Sequence, residues 1–265
     1  ALHHLKFLDK KLVQGDKKLQ TAVVTVDNDS GAVRVMIGGT SYEKSQFNRA
    51  LSTNRMVGSS FKPVVYMTAM QNLGYHPGTV LIDEPMVFEL PHNKKWEPAN
   101  YNDEYMGPVV LKKALAKSLN VISAKLMFQV KPAEVVKTAR KFGFTSPIRE
   151  NFSLALGATG ASPLELASAY STIANLGEHI DPFYVSKIED YQGNILYEHF
   201  IEAEKRFEPE DIYPLLDMMQ GVMDDGSGRV IRRMGFRHPA AGKTGTTNAF
   251  RDAWFTGFTK DLTTS

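Results

Sequence analysis

Alternating hydrophobic and polar residues predict three β-hairpins along the chain. The first consists of two β-forming runs, Thr21–Val26 and Ala32–Ile37, joined by a turn rich in Asp, Asn and Gly. The second covers residues 183–199, with Gly193 near its middle. The third covers residues 240–258 and is interrupted around Asn248. Strand-forming sequence therefore lies at both ends of the chain.

Helical periodicity dominates the middle of the chain. Apolar residues recur at a spacing of four from Phe61 to Leu73, after Ser59 and before Gly74, which predicts a helix beginning at Ser59. Further helical patterns cover residues 109–142 and 209–223. Ser162-Pro-Leu-Glu165 has the form of a capping box with proline at the first helical position, and predicts a helix reaching Gly177.

Two regions show neither the hairpin pattern nor the helical pattern of the main domain. Residues 1–19 are rich in Leu and Lys and predict an amphipathic leading helix or linker before the main domain, residues 20–265. Residues 77–108 are rich in Pro and Gly and predict a mostly irregular connection.

The order of these elements predicts an α/β fold of the α+β type. Strands from both ends pair into one antiparallel sheet, helices cover that sheet, and the remaining helices form an all-helical lobe. A cleft between the lobe and the sheet is the expected location of a site.

Composition excludes several kinds of chemistry. The chain is 43% hydrophobic and 23% charged with a net charge of +2, which is typical of a globular protein and gives no sign of a nucleic-acid partner. There is no cysteine, which excludes disulfides and thiolate chemistry, and the seven histidines form no HExxH motif. We therefore expect neither a metal nor a cofactor. No apolar run reaches the ~18 residues of a membrane helix, and no signal peptide is recognisable at Ala1.

Three short motifs carry the candidate chemistry, in this order along the chain: Ser59-Ser-Phe-Lys62, Ser118-Leu-Asn120 and Lys243-Thr-Gly245. Singly the first two are weak, since Ser41-Tyr-Glu-Lys44 is a second SxxK and Ser52-Thr-Asn54 a second SxN. Ser41 has no apolar-periodic helix after it, and Ser52 precedes the SxxK that it should follow. The order, the context and the single KTG together form the signature of penicillin-binding proteins and class A β-lactamases.

These residue types suit nucleophilic catalysis by a serine. Ser59 needs a base to remove its proton, and Lys62, three residues on, shares its helix face. Lysine is a base only when neutral, and a second cation or burial lowers its pKa. Lys243 could be that cation, and Ser118 could relay a proton between the two lysines.

Longer stretches extend the likeness to a family. The chain resembles the transpeptidase domain of class A, bifunctional penicillin-binding proteins from about residue 20 to its end. The stretches that carry the resemblance are Phe47-Asn-Arg-Ala50, Gly58-Ser-Ser-Phe-Lys-Pro63, Trp96-Glu-Pro-Ala-Asn-Tyr101, Ser162–Tyr170, Ala241-Gly-Lys-Thr-Gly-Thr-Thr-Asn248 and Asp252-Ala-Trp-Phe255.

The resemblance implies a β-lactamase/transpeptidase-like fold and a D,D-transpeptidase. Ser59 would form an acyl-enzyme on peptidoglycan stem peptides ending in D-Ala-D-Ala and would be acylated by β-lactam antibiotics. Lys62 matches the general base, Ser118 the proton relay and Asn120 a substrate-orienting amide. The remaining matches lie on the KTG segment: Lys243 supplies charge, Thr244, Gly245 and Thr246 bind substrate, and the Ser59 and Thr246 amides form the oxyanion hole.

The resemblance also implies context outside this sequence. Family members carry an upstream glycosyltransferase domain and a membrane anchor, and work on the extracytoplasmic (periplasmic) face of the plasma membrane. Their domains continue past the last predicted hairpin into another strand and a helix, which we expect to be missing here, since the sequence stops at Ser265.

Four other functions share part of this motif pattern. A D,D-carboxypeptidase and a non-catalytic β-lactam sensor share all three motifs and stay open. A class A β-lactamase needs a glutamate on a loop after SxN, whereas Glu97 precedes Ser118. A nucleotide-binding P-loop at Gly242-Lys-Thr244 is rejected because position 237 is arginine instead of the required glycine.

Overall fold

The computed structural model describes residues 19–52, 54–90, 93–247 and 251–265. Nearly all of the expected leading helix, residues 1–19, lies outside these ranges. The strands are β1 (Val23–Asp27), β2 (Val33–Ile37), β3 (Arg55–Met56), β4 (Val80–Asp83), β5 (Phe88–Leu90), β6 (Lys94–Trp96), β7 (Gly107–Val110), β8 (Gly160–Ala161), β9 (Glu178–Ile180), β10 (Lys187–Glu189), β11 (Ile195–Glu198), β12 (Ala203–Lys205), β13 (Ala241–Thr246), β14 (Ala253–Phe258) and β15 (Leu262–Thr264).

The described helices lie between the terminal strands β2 and β13. The α-helices are α1 (Arg49–Ser52), α2 (Lys62–Leu73), α3 (Leu111–Lys117), α4 (Asn120–Val130), α5 (Pro132–Phe142), α6 (Pro163–Ala174), α7 (Pro209–Asp224) and α8 (Val230–Arg233). Short 3₁₀ helices cover Gly58–Phe61 and Phe152–Leu156.

The two ends of the chain meet in one antiparallel sheet with the strand order β13-β14-β15-β1-β2. The predicted first and third hairpins are its two margins, and the predicted second hairpin forms separately from β10 and β11. Helix α6 packs on β1, β14 and β15, while α7 packs on β13. The prediction of a sheet covered by helices is confirmed.

The other helices form the lobe. Helix α2 contacts α4, α5 and α7, and α3 packs along α7. Their apolar faces build the larger core, which includes the fully buried Phe61, Leu115, Ile122 and Met219. A smaller core of Val24, Val26, Ala50 and Ala167 lies between the sheet and α6. The site therefore has packed helices on one side and a packed sheet on the other.

The structure departs from the sequence predictions in three places. Four short strands, β4 to β7, lie in residues 77–108 and just beyond, a region expected to be mostly irregular. They form because β4 pairs with β7 and β5 pairs with β6. A third C-terminal strand, β15, is present although it was expected to be missing. It pairs with β14 and β1, and its buried Thr263 donates to Asn28 Oδ1 at 2.7 Å.

The third departure concerns the capping box. The Glu165 amide donates to Ser162 Oγ at 3.2 Å, as predicted, and α6 ends at Ala174 instead of Gly177. The Glu165 carboxylate does not close the box. It accepts from the Ser146 amide and hydroxyl, both at 2.6 Å, and so ties α6 to the loop after α5.

Candidate active site

Ser59 lies on the 3₁₀ turn that leads into α2. A 3₁₀ turn has three residues per turn, so positions three apart lie directly above one another. The sequence predicts a helix beginning at Ser59, and the structure has a 3₁₀ turn there, with the α-helix beginning at Lys62. The turn aligns the side chains of Ser59 and Lys62. Ser59 is half-buried and borders an open cleft, whereas Lys62 is fully buried beneath it.

Close backbone packing holds this turn against strand β13. Gly58 has φ +54°, and a Cβ there would lie 2.5 Å from the Thr246 carbonyl oxygen. A Cβ on Gly245 would lie 2.3 Å from the Val57 carbonyl oxygen. Both positions require glycine, because a side chain would push the serine turn away from the KTG strand. The backbones at Ser59 and Thr246 are neighbours for this reason.

The two lysines meet at Ser118. Lys62 Nζ donates to the Ser118 carbonyl oxygen at 2.6 Å, to Asn120 Oδ1 at 2.8 Å and to the Leu119 carbonyl oxygen at 3.2 Å. Ser118 Oγ lies 3.3 Å from Lys62 Nζ and accepts from Lys243 Nζ at 2.9 Å. The hydroxyl of Ser118 therefore bridges two amines, one that belongs to the lobe and one that belongs to the sheet.

Both lysine side chains are fully buried, and this shifts their protonation. Burial, reinforced by the charge of Lys243, holds the pKa of Lys62 well below its ordinary value. Burial also lowers the pKa of Lys243 to about 7. An amine needs a free lone pair to accept a proton, so a lowered pKa raises the fraction of Lys62 that can act as a base.

Ser118 owes its position to an unusual backbone. It ends α3 with φ +59° and ψ +39°, a left-handed conformation uncommon for residues other than glycine. Its amide donates to the Leu115 carbonyl oxygen at 3.0 Å, and α4 begins two residues later at Asn120. The SxN motif is thus the tight joint between two helices, and the joint directs its carbonyl groups at Lys62.

The KTG motif lies on β13, in register with β14 from Ala241↔Phe258 to Thr246↔Ala253. Thr244 and Thr246 border the cleft, while the intervening Gly245 is buried against the serine turn. Thr244 Oγ1 lies 2.5 Å from Ser227 Oγ. The strand thus presents two hydroxyls to the cleft and sends the Lys243 amine beneath it.

Five of the predicted site residues line one cleft of about 450 Å³ between the lobe and the sheet: Ser59, Ser118, Asn120, Thr244 and Thr246. The other three, Lys62, Lys243 and Gly245, are buried behind its wall. Residues that sequence reasoning did not single out also line the cleft, namely Tyr101, Lys117, Leu156, Ser227 and Thr247. Ser227 carries a recognisable signal, since Asp225-Gly-Ser-Gly228 is a polar, glycine-rich loop directly after an amphipathic helix.

The structure separates the two SxxK and the two SxN candidates. Ser41 lies in a turn before α1, and Ser52 ends α1; neither of them lines the cleft that contains Ser59. Ser52 and Asn54 border other surface cavities. Of these alternatives, Ser59 and Ser118 are the ones that line the cleft.

The fold and the cleft are those of a serine-type acyltransferase, with two buried lysines beneath the serine. The family model for the penicillin-binding protein transpeptidase domain matches residues 21–264. This chain belongs to that family. The predicted β-lactamase/transpeptidase-like fold and serine-type acyltransferase class are both confirmed by the relatives.

Individual relatives are class A penicillin-binding proteins. The chain is 33% identical to penicillin-binding protein 1A of Pseudomonas aeruginosa, over 93% of this chain and 36% of that protein. It is 34% identical to that of Aquifex aeolicus, over 98% and 35%. The crystal structure of penicillin-binding protein 1A from Haemophilus influenzae superposes with a TM-score of 0.88 at 29% identity, over 92% of this chain and 42% of that one.

The chain spans about a third of the length of these curated relatives. Within the described residues, no helix combines the length and the apolar character that crossing a membrane requires.

Proposed function

We propose that this domain, residues 20–265 after a linker at 1–19, is a D,D-transpeptidase that cross-links peptidoglycan stem peptides through Ser59. The observation that carries the proposal is the pair of buried lysines joined by Ser118 beneath a half-buried serine. Such an arrangement activates a hydroxyl and returns its proton to a leaving amine.

Acylation follows from the positions of these groups. Neutral Lys62 takes the proton of Ser59, and Ser59 Oγ attacks the carbonyl carbon of the penultimate D-alanine. The amides of Ser59 and Thr246 stabilise the resulting oxyanion. The bond to the terminal D-alanine breaks, and its nitrogen receives a proton from Lys62 through Ser118. The product is an ester on Ser59.

Substrate recognition falls to the rim of the cleft. Thr244 and Thr246 donate hydroxyl hydrogen bonds to the terminal carboxylate, and Lys243 supplies positive charge beneath them. The Asn120 amide orients the peptide. An amine of a second stem peptide then attacks the ester, forms the cross-link and frees Ser59.

The cleft also bears on the alternative of a β-lactamase. Among the described residues that line it there is no Asp or Glu, and the lining residue that follows the SxN motif by some 36 positions is the apolar Leu156. Hydrolysis by a positioned water would require a general base worth ~10²–10⁴ in rate. A β-lactam ester on Ser59 is therefore expected to persist.

In the intact protein, we propose, the domain is anchored in the plasma membrane beside an upstream glycosyltransferase domain and works on the extracytoplasmic (periplasmic) face. The named relatives, of which this chain spans about a third, support that context. β-Lactam antibiotics are the proposed inhibitors.

A labelling experiment tests the acylation step. Fluorescent penicillin should label the chain with one equivalent, mass spectrometry should locate the adduct on Ser59, and Ser59→Ala should abolish it. Ser41→Ala, in the second SxxK, is the matched control and should label normally. Labelling of Ser59→Ala would refute the assignment of the nucleophile.

A second experiment separates the transpeptidase from its rivals. Excess unlabelled drug should leave the label in place for many minutes, and a D-Ala-D-Ala donor with an acceptor amine should yield cross-linked product. Loss of the label within seconds would indicate a β-lactamase. Release of D-alanine without transfer would indicate a carboxypeptidase, and acylation by drug with no reaction on the peptide would indicate a sensor.

A further inference from the structure

The N-terminus of α4 is capped by a residue that lies 20 positions earlier in the chain. Leu119, at the N-cap of this helix, makes no side-chain cap. Instead, Asn100 Oδ1 accepts from the Asn120 amide at 2.8 Å and from the Val121 amide at 3.3 Å. The first amides of a helix have no partner within it, so Asn100 satisfies them from outside.

Asp83 determines which way the Asn100 amide points. The Asp83 carboxylate is 1% exposed and accepts from Asn100 Nδ2 at 2.9 and 3.0 Å. It also accepts from the Met106 amide at 3.0 Å, and Asn100 Nδ2 donates further to the Glu104 carbonyl oxygen at 3.0 Å. A carboxylate only accepts, so the nitrogen of Asn100 faces Asp83 and its oxygen faces α4.

The buried Asp83 carboxylate accepts hydrogen bonds from amides and forms no ion pair within the described residues. None of the ion pairs formed by the described residues includes Asp83. A buried charge of this kind is costly unless its hydrogen bonds are made well. All of the donor and acceptor positions of Asn100 are used, so the pair has one arrangement.

The same segment holds the side chain of Asn120. Asn120 Nδ2 donates to the Ala99 carbonyl oxygen at 2.8 Å, which leaves Oδ1 to accept from Lys62 at 2.8 Å. Residues 99 and 100 therefore fix Asn120 by its backbone and by its side chain. The other close acceptors of Lys62, the carbonyls of Ser118 and Leu119, belong to the same three-residue joint.

We infer that Asp83 and Asn100 are positioning residues for the acylation machinery: they fix residues 118–120, and through them the amine of Lys62. This inference rests on the proposed function of Lys62 as the base for Ser59. It predicts that the polarity of the pair matters more for acylation than for folding. Displacing a catalytic group by about 1 Å can reduce a rate a hundredfold.

A swap of the two side chains tests the inference. Asn100→Asp brings two carboxylates together and should slow acylation of Ser59 by fluorescent penicillin roughly ten- to a hundredfold. In the double variant Asp83→Asn/Asn100→Asp, the new amide donates to the new carboxylate, which still accepts from the Asn120 amide. We expect the double variant to return to within about threefold of the wild-type rate. Asn102→Asp, which adds the same charge at an exposed position two residues away, should acylate normally.

Two measurements keep the result decisive. Thermal unfolding identifies folded variants, and Asp83→Asn, which retains an acceptor for the Asn100 amide, should fold and lose acylation only a few-fold. A folded double variant that is as slow as Asn100→Asp would overturn the inference, and so would wild-type rates in every variant.

Hydrogen exchange examines the cap without any acylation. In Asn100→Ala the amides of Asn120 and Val121 should exchange at least tenfold faster, while amides deeper in α4 stay protected. Unchanged exchange would overturn the positioning role. If penicillin fails to label the wild-type chain, the proposed function is refuted. Faster exchange of the Asn120 and Val121 amides in Asn100→Ala would still establish the cap in that case.

Discussion

Two buried polar networks border the same sheet, one around Asn28 and one around the lysine pair Lys62 and Lys243. Asn28 follows β1 and is fully buried, as are both lysines. The first network consists of neutral groups, and the second contains two amines whose pKa values are lowered by burial. The comparison separates polar residues that are buried to hold the fold from those buried to do chemistry.

Every hydrogen-bonding position of the Asn28 side chain is used. Its Oδ1 accepts from the Thr263 hydroxyl at 2.7 Å and the Ser171 hydroxyl at 3.1 Å, and its Nδ2 donates to the Lys260 carbonyl oxygen at 3.0 Å and the Thr259 carbonyl oxygen at 3.2 Å. These bonds join the end of β1 to α6 and to the turn before β15. A buried amide with four partners costs little and specifies one arrangement.

The lysine pair has acceptors but no opposite charge. Its partners are the Ser118 hydroxyl, the Asn120 amide oxygen and backbone carbonyls, and no ion pair among the described residues includes either lysine. Unneutralised buried charge destabilises a fold, and sites of this kind trade stability for activity. The following variants should separate the two networks.

Replacement of Lys62 by methionine should have the largest effect. Lys62→Met removes the base while filling a similar volume, so acylation of Ser59 should fall ~10²–10⁴-fold. The melting temperature should stay level or rise, because a buried amine is lost. Lys137→Met, on the exposed face of α5, is the matched control for a lysine-to-methionine change. A parallel loss of acylation and stability would mean that Lys62 is structural.

Asn28→Ala should show the opposite behaviour. It leaves buried hydroxyls and carbonyls without partners, at ~1–3 kcal/mol for each group that stays unsatisfied. We expect the free energy of unfolding in urea to fall by roughly 2–5 kcal/mol, with acylation per folded molecule unchanged within about twofold. The exposed Asn72→Ala is the control. A large loss of acylation rate in folded Asn28→Ala would erase the contrast between the networks.

The pH dependence of stability should report the buried charge of Lys243. Its pKa is about 7 in the folded chain and near 10.5 when unfolded, so between these values the unfolded state binds more protons. The Lys243 contribution to stability should therefore rise with pH, by up to ~1.4 kcal/mol per pH unit and roughly 2 kcal/mol from pH 7.5 to 9. Lys62, whose pKa is also lowered, adds a rise of the same sign. Lys243→Met should remove the Lys243 contribution. If the free energy of unfolding changes equally with pH in the wild type and in Lys243→Met, then Lys243 is not the source of the pH dependence.

A loss of acylation smaller than that of Lys62→Met is expected at the rim of the cleft. Thr244→Val keeps the β-branched shape but deletes a hydroxyl donor to the substrate carboxylate, a bond worth ~1.5–3 kcal/mol. Acylation of Thr244→Val by penicillin should be roughly ten- to a hundredfold slower than that of the wild type. A ligand esterified at that carboxylate should acylate the variant and the wild type at the same rate. Equal losses for both ligands would show that the threonine acts through geometry.

The sequence by itself determined the elements whose signals are local. Alternation and turn residues defined the hairpins, the spacing from Phe61 to Leu73 defined α2, and the order of three motifs identified Ser59, Ser118 and Lys243 as candidates. These features depend on side chains within a few positions of one another, where the periods of helix and strand leave a readable pattern.

Only the tertiary structure decided what those residues share. The bridge from Lys62 through Ser118 to Lys243 joins positions 56 and 125 apart in sequence. Strand β15 and the cap from Asn100 likewise depend on partners from distant segments. Their partners contribute nothing to the local pattern, because packing brings them together only after the elements form. The depressed pKa of Lys62 has the same origin, since burial and a second amine exist only in the folded chain.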